Sequence, residues 1–191
     1  YNSMGGSGLN AHTWYEETVY KIGLPSNRMH QWAELESDRF VNPVFRLFHT
    51  ELETVYEEKN RSLDNADRII GTAIDELLYK VHPYGQQPTI GTVDHLKNPS
   101  LIYIQNYFDT YYVPNNMGIF ISGDINIEET ITLINEKFGD WEAKPVPEVG
   151  PWIEPPLQGA ERRTVQYPGE EQVSIAFRTA ENGHEDKEAL I

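Results

Sequence analysis

One stretch, Val44 to Lys80 (VFRLFHTELETVYEEKNRSLDNADRIIGTAIDELLYK), reads as helix over nearly its whole length, and the rest of the chain has to be arranged around it. Asn42-Pro43 closes the helix before it. Pro43 suits the start of the next one, where an amide N–H would have no partner in any case. Ser62-Leu63-Asp64-Asn65 bends or divides the stretch. Over residues 44–59, at about 100° per residue, Leu47, Val44, Val55, Phe48, Leu52, Phe45 and Tyr56 fill one arc of roughly 180°.

The flanking segments predict the remaining elements. Gly5-Gly6-Ser7-Gly8 reads as a turn, continued to Tyr20 as a strand rich in Thr, Trp, Tyr and Val. Ser26 or Asn27 is placed to cap a helix running through MHQWAELESDRF. Residues 82–92 read as a loop, and residues 100–112 as an aromatic-rich helix stopped by Pro114. Residues 117–124 (MGIFISGD) have the apolar run of a buried strand, and a helix ending near Gly139 follows. Strand, helices, strand, helix predicts an α+β fold, a mixed sheet with helices packed on one face. Prolines and glycines crowd the next stretch, so residues 147–159 read as a linker. It would join a first α+β unit at 1–146 to the start of a second, similar unit at 160–191, where RRTVQYP and EQVSIAFRT alternate like strands.

Charge and composition remove several function classes. With 30 acidic against 15 basic residues the net charge is −15, a field that repels nucleic acid and anionic membrane. That field favours cationic peptides as partners, the plainer alternative being a solvated acidic surface. No run approaches the roughly eighteen apolar residues of a membrane helix. There is no cysteine, which rules out disulfide and thiolate chemistry and fits reducing and oxidising compartments alike.

Four glutamates share the helix at 44–59. Glu53 and Glu57 project outside the apolar arc, whereas Glu51 and Glu58 project inside it, seven residues and so two turns apart. Two ionised carboxylates aligned on a buried face need a compensating charge. A divalent metal carrying histidines would supply it, and so would ion pairs with arginines such as Arg39 or Arg46. The histidines at 12, 30, 49, 82, 95 and 184 are scattered, and no H-E-x-x-H, H-x-x-E-H, P-loop or G-x-S-x-G pattern occurs.

Taken together, several blocks resemble the pitrilysin or insulinase-type zinc metallopeptidases, the inverzincins. Gly5 to Thr13 with Glu17-Thr18-Val19-Tyr20 resembles their glycine turn and active-site edge strand, and LESDRFVNPVF (35–45) the helix pair after it. FHTELETVYEEKNRSLDN (48–65) resembles their ligand helix. HPYGQQPTIGT and FDTYYVPNNMGIFISGDIN (108–126) resemble the loop and late strand of the same unit. The resemblance implies a Zn²⁺-dependent endopeptidase that cleaves peptides or small unfolded proteins. It assigns Glu58 as a zinc ligand and Glu51 as the acid that supports a ligand histidine from behind. Asn10, Ala11, His12 and Thr13 become the strand that pairs with substrate backbone. It also implies two histidines and a general-base glutamate upstream of Tyr1, and a second homologous half on the same or another chain. The alternatives are a non-catalytic, peptide-binding subunit of that family and an acidic structural or interaction module whose glutamates only form ion pairs.

Overall fold

The computed structural model describes residues 1–97, 99–181 and 183–186 of the 191. Its architecture is α+β, with a small antiparallel sheet and seven helices among the described residues. Strands β1 (Ser7–Thr13) and β2 (Thr18–Gly23) come first, followed by helices α1 (Met29–Val41), α2 (Phe48–Leu63) and α3 (Ala66–Leu78). The shorter α4 (Pro83–Gln86) and α5 (Val93–Lys97) precede α6 (Leu101–Tyr111) and α7 (Ile127–Phe138). Two compact units result. The first takes Tyr1–Glu51 with the stretch that ends at Val149; the second takes Leu52–Lys97 with the stretch from Gly150 onward.

In the first unit β1 and β2 form a hairpin, with Asn10 opposite Lys21 and Thr13 opposite Thr18. The turn closes through the Trp14 N–H, which donates to the Glu17 carbonyl at 2.8 Å. Ala33 on α1 and Val113 after α6 are the fully buried apolar residues among those described, and α1 packs against α7. An aromatic column links β2, α1 and the end of α6. Phe108 stacks on Tyr112 (4.3 Å between centroids), Tyr112 on Phe40 (6.2 Å), and Tyr20 meets Phe40 edge-on at 5.6 Å. Glu36 is buried there, a placement that is costly for an unpaired carboxylate. Arg39, one turn on, compensates by donating its Nε to Glu36 Oε2 at 3.0 Å while its guanidinium covers the rings of Tyr20 and Phe40.

The second unit is built on α3 and α4. Asn65 caps α3, its side-chain oxygen accepting from the Arg68 N–H at 3.0 Å. The chain then turns at Tyr79–His82 into α4, where Gly85 is required because a Cβ would fall 2.0 Å from the Tyr79 carbonyl oxygen. Gln86 Nε2 donates to the carbonyls of Tyr79 (3.1 Å) and Lys80 (2.9 Å), which holds the turn closed.

Several expectations are corrected. The sheet is two antiparallel strands rather than mixed, and the expected single strand to Tyr20 is a hairpin. Residues 117–124 and the alternating runs after residue 160 form no strand among the described residues. Phe120 is 97 % exposed and Val173 90 %, so neither run is buried. A strand needs a second backbone about 4.8 Å away, and alternation does not provide one. Helix α2 starts at Phe48, not at Val44, because Leu47 adopts a left-handed φ of 55° that interrupts the helix. A 3₁₀ turn at Ser26–Arg28 precedes α1, and neither Ser26 nor Asn27 caps it by a side-chain bond. The loop at 82–92 contains α4. The division of the long stretch near Asn65 and the helix ends at Tyr111 and Phe138 agree with expectation.

Candidate functional site

On α2 the half-buried residues are Phe48, Leu52, Val55, Tyr56, Lys59, Asn60 and Ser62, a spacing of three to four that marks the covered stripe. Val44 and Leu47, expected to widen that stripe, precede the helix and are 68 % and 74 % exposed. Glu51, Glu53, Glu57 and Glu58 are all exposed. The expected burial of Glu51 and Glu58 is therefore corrected, and burial does not separate the four. Helical geometry still does. A spacing of seven sets Glu51 and Glu58 on one flank of the stripe, and Glu53 and Glu57 fall on the other. Arg39, a candidate partner for these acids, is engaged by Glu36 on its own helix.

Strand β1 carries Asn10, Ala11, His12 and Thr13, and every residue of it is exposed. It pairs with β2 alone among the described residues, so its other edge keeps free backbone groups. Gly8, at φ 63°, lies where the register shifts between Ser7 and Asn10. The Ala11 N–H donates to Asn10 Oδ1 at 2.9 Å, so one strand donor is satisfied locally. His12 Nε2 lies 3.5 Å from Glu17 Oε1, and the hydroxyls of Thr13 and Thr18 meet across the pair at 3.3 Å.

A zinc ion needs a convergent donor set. No group of three or more His, Cys, Asp or Glu side chains among the described residues comes together closely enough to hold a metal. Histidines have other local neighbours: His82 lies against Tyr84 and Trp152, His95 bonds Thr92, and His49 contacts the Phe48 ring. Zinc takes three or four protein ligands. The described residues therefore do not fit the ion by themselves, and Glu58 offers one ligand at most.

Glu154 sits in the proline-rich stretch, where sequence reasoning places no site. Its carboxylate accepts from three consecutive backbone amides, those of Lys80, Val81 and His82. A lone acid between Trp152-Ile153 and Pro155-Pro156 is the only signal the sequence offers for it.

A family model described as Peptidase M16 inactive domain matches residues 103–191. The chain is 28% identical to the zinc protease PqqE of Helicobacter pylori over 196 aligned positions, covering 95% of this chain and 42% of that protein. It is 26% identical to the probable zinc protease PqqL of Escherichia coli, covering 80% of this chain and 17% of that protein. It is also 26% identical to the uncharacterized zinc protease YmxG of Bacillus subtilis, covering 97% and 44%. The chain thus spans less than half the length of each of these relatives. Its fold is similar to that of a solved protease from Helicobacter pylori, with TM-score 0.70 and 24% identity over 81% of this chain and 38% of that one. The first half of the periplasmic protease PqqL from Escherichia coli matches with TM-score 0.70 and 25% identity, over 81% of this chain and 34% of that one.

Proposed function

This chain is a relative of the pitrilysin-type M16 zinc peptidases, and from that premise we propose that it forms part of a zinc-dependent metallo-endopeptidase acting on peptides or small unfolded proteins. In this reading Glu58 is a zinc ligand and Glu51, on the same flank of α2, orients a ligand histidine. The remaining ligands and the general base lie outside residues 1–191. Substrate adds in extended form along Asn10–Thr13 of β1, where backbone groups fix its direction and neighbouring side chains choose its residues. A second homologous half, on the same or another chain, completes the working enzyme. In this reading residues 1–146 are one peptidase-like half, 147–159 the connection, and 160–191 the start of a second half, a division different from that of the two compact units.

The observation that carries the proposal is the similarity to proteins named zinc proteases along 95% and 97% of the chain. The test is metal analysis beside peptide turnover for four single variants of the full-length protein. Glu58→Gln should remove zinc and activity together, because an amide is a far poorer zinc ligand than a carboxylate. Glu51→Gln should weaken metal binding by about 10- to 100-fold. Glu53→Gln and Glu57→Gln should change little, since exposed substitutions usually stay within about 0.5 kcal/mol. Zinc retained in Glu58→Gln, or equal losses from all four, would sink the ligand assignment.

One observation favours a second reading, a non-catalytic peptide-binding subunit that partners an active chain: the matching family model is described as an inactive domain. A full-length protein that binds extended peptides yet contains no zinc would establish it.

A further inference from the structure

The composition of residues 147–159 is that of a loose connection, but two of its side chains, Trp152 and Glu154, are anchored. Glu154 Oε1 accepts from the amides of Val81 (2.8 Å) and His82 (2.5 Å), and Oε2 accepts from the Lys80 amide (2.9 Å). Three successive N–H groups converge because the chain turns between α3 and α4. Such a concavity suits an anion, and a charge-assisted bond is roughly twice as strong as a neutral one. The Glu154 side chain is only 12 % exposed. Two residues earlier the Trp152 ring meets the His82 ring edge-on at 5.0 Å, and His82 in turn contacts Tyr84 at 4.1 Å.

Further contacts follow along the same stretch. Arg178 donates Nη2 to the Pro155 carbonyl at 2.7 Å and brings Nη1 to 3.9 Å from Glu154 Oε2. Glu161 accepts from Lys80 Nζ at 2.9 Å, and Arg163 pairs with Glu76 near the end of α3. Prolines 151, 155 and 156 restrict the free segment, so fastening it costs less ordering entropy than it would for a flexible linker.

We propose that the stretch from Trp152 to Arg178 is a strap on the α3–α4 turn, that the Glu154 carboxylate is its buckle, and that the amides of Lys80–His82 are the receptor that reads it. The proposal is independent of the peptidase reading and concerns how the connection is held. The charged and titratable groups facing the buckle are Arg178, Lys80 and His82, with Glu161 and Glu76 already paired to Lys80 and Arg163. Burial pushes the Glu154 carboxyl upward, but the three amide donors and Arg178 outweigh it and hold the group below its usual range. A lowered pKa means that the buckle is closed at neutral pH and opens only as pH falls below the ordinary carboxylate range.

Hydrogen exchange on the chain at neutral pH tests this. Glu154→Gln keeps size and shape but turns an N–H-bearing amide toward three N–H donors. Protection should fall about 10-fold or more at the Lys80–His82 amides, with α1 and α7 unchanged. Arg178→Gln should loosen the same amides by a smaller factor, which keeps the test open if the first variant folds poorly. Glu148→Gln, which changes an exposed acid outside the strap, should leave them protected. Unchanged protection in both Glu154→Gln and Arg178→Gln, or loss spread evenly over the whole chain, overturns the proposal.

Discussion

Tyr112 is held by Tyr20 from β2, Phe40 from α1 and Phe108 from α6, with its hydroxyl 3.1 Å from the Tyr20 hydroxyl. Burial, then the bond to Tyr20, push its phenol from the ordinary 10.0 up to about 12, against smaller opposing effects of Thr18 and Arg39. A raised folded value for an acid means that the neutral form is the one the fold prefers. Its contribution to stability is complete below pH 10 and is lost as pH rises from there through about 12. Alkaline titration should therefore find Tyr112 among the late-ionising tyrosines, its ionisation accompanying loss of stability. Tyr20→Phe should bring that titration to lower pH. A Tyr112 that ionises at the ordinary value in the native protein would contradict the packing described for it. None of this is legible in the sequence, where Tyr20, Phe40 and Tyr112 belong to three separate segments. The same holds for Arg39. Its nearness in sequence to the α2 acids makes it a candidate partner for them, and Glu36, one turn away on α1, has it instead.

At the scale of single elements, the signals that succeed are local and those that fail are not. Helices α3, α6 and α7 follow from side chains within a turn of their own starts: Asn65, Ser100 and Asn126 each accept from an N–H three residues on. The runs at 117–124 and after residue 160 have strand character, but pairing depends on backbone supplied from elsewhere in space. The start of α2 is not where the pattern puts it, because residues from Val44 are apolar at helical spacing and no pattern reports a backbone reversal at Leu47. Leucine at φ 55° costs about 1–2 kcal/mol relative to the right-handed region. A glycine there returns about 0.4–1 kcal/mol of that through the freer unfolded chain. The Leu47 side chain is 74 % exposed, so little burial is lost with it. Leu47→Gly should then stabilise the protein by about 0.5 kcal/mol in chemical denaturation. Leu47→Val should destabilise it, since a β-branched side chain tolerates that conformation less well. The opposite order would show that φ at this position relaxes freely.

For the whole molecule, the α+β class and the family resemblance are legible because both depend on the order of segments. The strap is not, because Glu154 lies 72–74 residues from its amide partners. Net charge is likewise a property of the whole, and under the proposed peptidase reading it would bear on which peptides reach β1. With a charge of −15 the molecule attracts cations over about a Debye length, roughly 8 Å at physiological ionic strength. The exposed edge of β1 would supply backbone pairing that is indifferent to sequence, so discrimination among extended peptides would fall to this field and to nearby side chains. Steering acts mainly on association, and salt screens it. A lysine- or arginine-rich peptide should thus bind the chain more tightly than a neutral peptide of equal length at low salt. That advantage should shrink as salt is raised, while the neutral peptide is little affected. Titrations of the two peptides at low and high salt measure this directly. Equal affinities at low salt, or a preference for acidic peptides, would show that the negative charge is a solvated surface without a part in substrate choice.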